Sequence, residues 1–208
     1  MHYSGLLCGD LRCLARVPES VLWLLAPSRG AAVVRDNLLR RAAGDGIAAE
    51  RLVFAARVGR AAHLRRLAAG DLFLDTFLYG AHTTATDALR GGMALLTLVG
   101  DVFAGRVGTG LLEGMNANRA ASLVTYSVQE FEDVAVEVAT AQRDRASSRL
   151  PGAESIGAQF IEPDNRGGSE LFDWQSYSRD LEYLSRMMLD VKQLTSTKMH
   201  IVLTSNNP

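Results

Sequence analysis

One histidine, four threonines and three aspartates lie within a short stretch in the middle of this chain. The stretch reads Asp71-Leu-Phe-Leu-Asp75-Thr-Phe-Leu-Tyr-Gly-Ala-His82-Thr83-Thr84-Ala-Thr-Asp87. Its apolar run predicts a strand over 72–74, a turn over 75–81 follows, and an amphipathic helix begins at His82. A helix N-terminus carries unpaired backbone N–H groups and the positive end of the helix dipole, so it suits a phosphate.

The side chains at this helix start add to that chemistry. The hydroxyls of Thr83 and Thr84 are further donors, and the carboxylate of Asp87, one turn later, is placed to accept from a sugar hydroxyl. An ordinary helix with a threonine N-cap explains the same residues. From this stretch alone, both interpretations stand.

A second stretch with possible ligand chemistry lies upstream, on a predicted helix over 61–69. Arg60, His63 and Arg66 recur every three residues and share one face, while Leu64 and Leu67 define another. Two cations and an imidazole on one face suit a nucleotide, through charge and through stacking or hydrogen bonding. A solvated basic helix face is the alternative.

The elements that position these residues alternate between short apolar runs and helical patterns. Predicted strands span 21–25, 52–54, 72–74, 94–98 and 122–125, and predicted helices span 33–43, 61–69, 84–91, 104–112 and 128–143. This alternation predicts a Rossmann-like α/β fold, a parallel sheet with helices on both faces. Ligands of such sheets bind beyond the carboxyl ends of the strands, where the loop 75–81, the turn 99–105 and the turn after Phe54 are all expected.

Composition limits the possible functions. The chain has 208 residues, 48% of them hydrophobic, and a net charge of −1, which favours one globular domain and gives no general attraction to nucleic acid or an anionic membrane. Cys8 and Cys13 match no metal-binding spacing, which is typical of a reduced intracellular protein. The apolar run 21–25 is too short to span a bilayer. We therefore expect a soluble protein of the cytoplasm or nucleus.

The chain changes character after the predicted α/β region. We expect a truncated lead-in segment over 1–16, the α/β lobe over 17–146, a flexible Gly/Pro-rich linker or insertion over 147–168, a C-terminal helix over 169–190 and a tail over 191–208.

In their order along the chain, several motifs resemble the C-terminal catalytic half of the O-linked N-acetylglucosamine (O-GlcNAc) transferase family. They are Arg16-Val-Pro-Glu-Ser-Val-Leu-Trp-Leu-Leu25, Glu50-Arg-Leu-Val-Phe54, His63-Leu-Arg-Arg66, Leu74-Asp-Thr76, His82-Thr-Thr84 with Asp87, Arg106-Val107, Gln129-Glu-Phe-Glu-Asp-Val-Ala-Val136, and Leu171-Phe172 with Tyr177 and Leu181. Family members are GT-B glycosyltransferases with two Rossmann-like lobes. The resemblance implies that this chain supplies the lobe that binds UDP-GlcNAc, the donor whose sugar is transferred to Ser or Thr of proteins.

The resemblance also implies roles for individual residues. His82, Thr83 and Thr84 would meet the UDP diphosphate, Asp87 and Arg60 would lie near the ribose, His63 would contact the uridine, and Arg66 would contact the uracil edge. It implies an inverting transfer with UDP-GlcNAc as donor, without a metal or other cofactor, with protein acceptors and with neither nucleic acid nor membrane as partners. No residue is assigned as the catalytic base.

The chain departs from the family pattern at several points. The family's phosphate-binding Lys and a Gln precede the matching region, and this chain has no lysine before Lys192. Ala85, Phe77 and Ala94 stand where the family has Gly, Pro and Pro. The N-terminal lobe and helical repeats of the family are not expected here. The alternative function is therefore a non-catalytic or vestigial nucleotide-binding fragment, and an unrelated Rossmann-like domain does not explain the ordered matches.

Overall fold

The computed structural model describes residues 4–26, 30–115, 120–147 and 170–194. Its helices are α1 (Ser4–Arg16), α2 (Ala31–Gly44), α3 (Arg60–Leu67), α4 (Thr83–Arg90), α5 (Val107–Glu113), α6 (Val128–Ser147) and α7 (Trp174–Leu194). Its strands are β1 (Leu22–Leu25), β2 (Leu52–Ala55), β3 (Leu72–Leu74), β4 (Ala94–Leu98) and β5 (Val124–Thr125). The predicted strand–helix alternation is confirmed.

Within the described residues, all the strand pairings are parallel, as predicted, but they form two hydrogen-bonded groups. β1 pairs with β2, and Leu22 lies opposite Leu52. β4 lies between β3 and β5, with Leu72 opposite Ala94 on one side and Thr97 opposite Val124 on the other. β4 is buried over 94–97, which explains its continuous apolar run, because a central parallel strand is covered on both faces.

In the part of the chain that the structure describes, three apolar clusters hold the layers together. The largest surrounds β4, and its most deeply buried side chains include Leu95, Leu96, Leu112 and Phe131. A second cluster packs α1 and α2 against the β1–β2 pair. A small third cluster contains Leu67 of α3, Ala88 of α4 and Met93, so it fixes α3 and α4 against each other. These two helices carry most of the predicted site residues.

The first 16 residues, predicted to be a lead-in segment, contain a helix that is packed into this fold. Leu11 and Leu14 of α1 are buried in the second cluster, and Cys13, a free thiol, is buried in the cluster around β4. Burial raises the pKa of the Cys13 thiol to about 12, with nearby carboxylates adding to the effect. The region over 1–16 is therefore integral to the lobe over the residues described.

Charged side chains fasten the same helix at two places. Arg12 pairs with the buried Glu132 of α6, and Arg16 Nη1 lies 2.7 Å from Asp133 Oδ1. At the C-terminus of α1, Arg51 donates to the carbonyl oxygens of Leu14, Val17 and Ser20 at 2.6–2.8 Å. A guanidinium thereby supplies donors to carbonyls around the helix end.

Other boundaries differ from the predictions by a few residues. Only 124–125 of the predicted strand over 122–125 is strand, because Ala120–Leu123 forms a 3₁₀ helix, and Phe103–Gly105 is a 3₁₀ turn before α5. The predicted C-terminal helix is α7, which continues to Leu194, into the predicted tail. The rest of that tail, and the predicted linker after Ser147, lie outside the described residues. Among the described helices, none is long and apolar enough to cross a membrane.

Candidate nucleotide-binding site

The loop between β3 and α4 is organised by Asp75, whose side chain is almost completely buried. Asp75 Oδ1 accepts hydrogen bonds from the backbone N–H groups of Thr76 (2.7 Å) and Ala81 (2.6 Å), at opposite ends of the loop. Asp75 Oδ2 accepts from Thr97 Oγ1 of β4 at 2.8 Å. One carboxylate therefore closes the loop on itself and ties it to the central strand.

A glycine on α5 makes room for this arrangement. A Cβ at Gly108 would lie 2.6 Å from both Asp75 Oδ2 and Thr97 Oγ1, a separation that real Cβ atoms do not reach. The start of α5 can approach the carboxylate only because residue 108 has no side chain.

The loop after β4 meets the loop after β3, as expected for parallel strands that end at one edge. Gly80 N–H donates to the Ala104 carbonyl at 2.8 Å, and Gly100 N–H donates to the Gly105 carbonyl at 3.1 Å. A Cβ at Gly100 would lie 2.9 Å from the Gly105 Cα, so this contact also needs glycine. The two loops form one surface at the carboxyl edge of the sheet.

An open cavity of about 530 Å³ lies on this surface, beside the N-terminus of α4. It is lined by Phe73, Thr76, Tyr79, Gly80, Ala81, His82, Thr83 and Thr84. α4 has eight residues, its N-terminus has no side-chain cap hydrogen bond, and Thr83 and Thr84 are exposed. An anion in the cavity would meet hydroxyls and the unpaired amides of the first helical turn.

The imidazole of His82 is held in place by three neighbours. Its Nε2 lies 3.3 Å from the Ala104 carbonyl oxygen, which can only accept, so Nε2 carries the proton. The ring stacks on Tyr79 with centroids 4.8 Å apart and meets the Phe103 ring edge-on at 6.4 Å. The histidine is thus oriented before any ligand arrives.

Asp87 of α4 is paired with Arg60 of α3 through both oxygens. Arg60 Nη2 lies 2.8 Å from Asp87 Oδ1, and Nη1 lies 3.3 Å from Oδ2. The carboxylate is buried, with 9% of its side chain exposed, whereas 61% of the Arg60 side chain is exposed. The pair therefore joins a buried anion to a cation that water and ligands can reach.

His63 and Arg66, one turn apart on α3, are in contact with each other. Arg66 Nη2 lies 3.2 Å from His63 Nδ1, and Arg66 Nη1 donates to the Ala56 carbonyl at 2.7 Å. The Arg66 guanidinium lies over the indole of Trp23 on β1, 5.1 Å from the ring centroid. Arg66, assigned by resemblance to the uracil edge, is therefore already held by the protein on several sides.

The structure gathers the seven predicted residues into two groups on adjacent helices. His82, Thr83 and Thr84 line the cavity, and Arg60, His63, Arg66 and Asp87 lie on or between α3 and α4. Asp75, Tyr79 and Trp23 had no role in the sequence-based site. The position of Asp75 directly after an apolar strand was the one signal that could have indicated its role.

These features define the chain as a parallel α/β lobe whose candidate ligand site lies at the carboxyl edge of its strands. The family model for glycosyl transferase family 41 matches residues 6–181, and the chain belongs to this family. The match begins before Arg16, where the resemblance was expected to start, and includes most of α1.

Relatives and a solved structure agree with this membership. The chain is 31% identical over 179 residues to a UDP-N-acetylglucosamine--peptide N-acetylglucosaminyltransferase of Caenorhabditis elegans, covering 86% of this chain and 14% of that protein. It is 36% identical over 133 residues to SEC of Arabidopsis thaliana, a probable enzyme of the same kind. That match covers 61% of this chain and 12% of that protein. The structure of a mutant Thermobaculum terrenum O-GlcNAc transferase aligns with a TM-score of 0.68 and 27% identity, over 88% of this chain and 32% of that one.

The fold is therefore that of part of an O-GlcNAc transferase catalytic region, which has the predicted GT-B type. The chain spans about a seventh or less of the length of these two curated relatives.

Proposed function

We propose that this chain is the UDP-sugar-binding lobe of a protein O-GlcNAc transferase, which transfers N-acetylglucosamine from UDP-GlcNAc to Ser or Thr of acceptor proteins. The observation that carries the proposal is the cavity at the N-terminus of α4, where an oriented His82 adjoins two exposed threonine hydroxyls. Relatives that act on UDP-N-acetylglucosamine and peptides, by their names, support this choice of substrates.

In this proposal the diphosphate occupies the cavity. The first amides of α4 and the hydroxyls of Thr83 and Thr84 supply donors and positive potential there, and the His82 ring, held by the Ala104 carbonyl, forms part of the cavity wall. Negative charge grows on UDP as the bond to the sugar breaks, and fixed donors stabilise that charge most at the transition state. This electrostatic assistance requires no metal, so we expect none.

The nucleoside binds along the α3–α4 face. Asp87 and Arg60 serve the ribose, whose hydroxyls both donate and accept, and His63 and Arg66 serve the uracil. A ribose hydroxyl that donates to Asp87 would share or replace the accessible Arg60 contact. For the whole enzyme that contains this lobe, we propose that the acceptors are proteins and that the location is the cytoplasm or nucleus.

Calorimetric titration of the purified chain with UDP tests the nucleotide site. We expect saturable binding in the wild type, and in His82→Ala a loss of affinity of about tenfold, because the variant removes an oriented ring from the cavity wall. Asn37→Ala, on the distant α2, is the matched control and keeps wild-type affinity. A folded wild-type chain that does not bind UDP would refute the proposed site.

The second candidate is a nucleotide-binding fragment without transferase activity. The departures from the family pattern at Phe77, Ala85 and Ala94 favour it, because Phe77 and Ala85 lie in the loop before α4 and in its first turn, and Ala94 begins β4. A GT-B active site also lies between two lobes, and proximity of both substrates is a large part of catalysis. UDP binding without turnover of UDP-GlcNAc on peptide acceptors would select this alternative for the chain as it stands.

A further inference from the structure

Trp23 on β1 is the one aromatic ring in contact with the predicted base-binding residues among those the structure describes. Its indole is half-buried, and the Arg66 guanidinium lies over its face at 5.1 Å. A guanidinium over an indole face gains electrostatic attraction, which is largest where water is excluded.

Arg66 is fixed by this contact and by two hydrogen bonds. Nη1 donates to the Ala56 carbonyl at the end of β2, and Nη2 reaches His63. Its Nε is buried and has no hydrogen-bond partner among the described residues. An unsatisfied N–H is unfavourable, and the attraction to the ring of Trp23 offsets part of that cost.

The contact with Arg66 selects one form of the His63 ring. A guanidinium can only donate, so His63 Nδ1, 3.2 Å from Nη2, must accept, and the ring proton must lie on Nε2. The described part of the chain offers no hydrogen-bond partner to that Nε2–H. It is therefore available to a ligand acceptor such as a carbonyl oxygen of a nucleobase.

We propose that Trp23 is a positioning residue for the nucleobase: by holding Arg66 against His63, it fixes His63 as the Nε2–H tautomer, which donates to a carbonyl of uracil. Arg66 then acts on the base chiefly through His63. This inference rests on the proposed UDP site and adds to it a residue that does not touch the ligand.

The direct test is long-range ¹H–¹⁵N NMR of the full chain without nucleotide, at a pH where the imidazole is neutral. We expect His63 to be protonated at Nε2 in the wild type and to become a mixture of tautomers in Trp23→Leu, which removes the aromatic face. Trp23→Phe retains a weaker face and is the matched control, with a smaller change.

Binding measurements separate a positioning role from general loss of structure. Trp23→Leu is expected to weaken UDP about fivefold, and Trp23→Phe about twofold, while inorganic pyrophosphate binds both variants as it binds the wild type. Pyrophosphate probes only the cavity beside α4, which Trp23 does not line.

Three results would overturn the inference: a wild-type His63 protonated at Nδ1, an unchanged tautomer in Trp23→Leu, or equal loss of UDP and pyrophosphate affinity. Failure of the wild type to bind UDP would instead refute the proposed site. The tautomer, measured without nucleotide, would still decide whether Trp23 positions His63.

Discussion

Asp75 and Asp87 are both buried carboxylates near the cavity, yet their surroundings differ completely. Asp75 is surrounded by three neutral donors, two from the loop backbone and one from Thr97. Asp87 faces one guanidinium whose side chain is mostly exposed. The first carboxylate holds a loop in shape, and the second holds a partner that a ligand can displace.

The difference shows that a carboxylate with permanent partners and a carboxylate with a replaceable partner can lie close together. Donors that belong to the backbone cannot leave without unfolding the loop, so the contacts of Asp75 are as permanent as the fold. An exposed arginine contributes little to stability and is free to reorganise around a ligand. Substitutions should therefore separate a structural aspartate from a binding one.

Asp75→Ala gives the largest expected effect. It leaves two backbone N–H groups and the Thr97 hydroxyl without their acceptor, and we expect the free energy of unfolding to fall by about 3–5 kcal/mol. Urea denaturation measures this. Asp75→Asn keeps one acceptor oxygen, so its free energy of unfolding should fall clearly less. Equal losses in the two variants would mean that the hydrogen bonds to the loop do not stabilise the fold.

Asp10 on α1 is a third carboxyl group for this comparison. Its protonation is governed by burial rather than by backbone donors or by an arginine. Burial raises its pKa from 3.8 to about 7, so the folded protein binds this proton more tightly than the unfolded chain. Its stabilising contribution is complete below about pH 4 and is lost as the pH rises through about 7, by at most about 4 kcal/mol.

Asp10→Asn should flatten this part of the dependence of stability on pH and stabilise the protein at pH 8. Asp36→Asn, at an exposed position on α2, is the control and should keep the wild-type slope. Denaturation at pH 5, 6, 7 and 8 provides the comparison, and parallel curves for wild type and Asp10→Asn would contradict the prediction.

Gly108→Ala tests how tightly the surroundings of Asp75 are packed. The new methyl group would lie 2.6 Å from two oxygens of the Asp75–Thr97 pair, and we expect a loss of about 2–3 kcal/mol of stability. Gly110→Ala, in the same helix but with no atom within 4 Å of the new Cβ, should stabilise by about 0.5–1 kcal/mol instead. Thermal unfolding of the two variants should therefore shift in opposite directions.

Arg60→Met and Asp87→Asn should have the smallest effect on stability. Because Arg60 is largely exposed, a double-mutant cycle should give a coupling of about 1 kcal/mol or less. Asp87→Asn should reduce the free energy of UDP binding, measured by calorimetry, by more than it reduces the free energy of unfolding. A large coupling in stability with unchanged UDP affinity would make Asp87 a second structural aspartate.

The comparison also shows what the sequence could predict. Strand β4 and helices α3 and α4 follow from apolar runs and periodicity, and local spacing placed His82 at a helix start, because these are short-range signals. The pairing of Arg60 with Asp87 depends on how two helices pack, which spacing along the chain does not encode. The only sequence signal at Asp75 is one polar residue after a strand. Helix α1 was not predicted, although Leu11 and Leu14 lie three residues apart, a spacing that is typical of a helix.

The attachment of α1 to α6 has a consequence for the order of folding during synthesis. Arg12 leaves the ribosome 120 residues before its partner Glu132. Leu11 and Leu14 can pack early against α2 and β2, but the side of α1 that carries Cys13 stays exposed until α6 is made. Contacts so distant in sequence form slowly, and exposed intermediates are prone to aggregation. Chains halted before residue 132 should therefore depend most on chaperones, and the requirement should end once α6 has emerged.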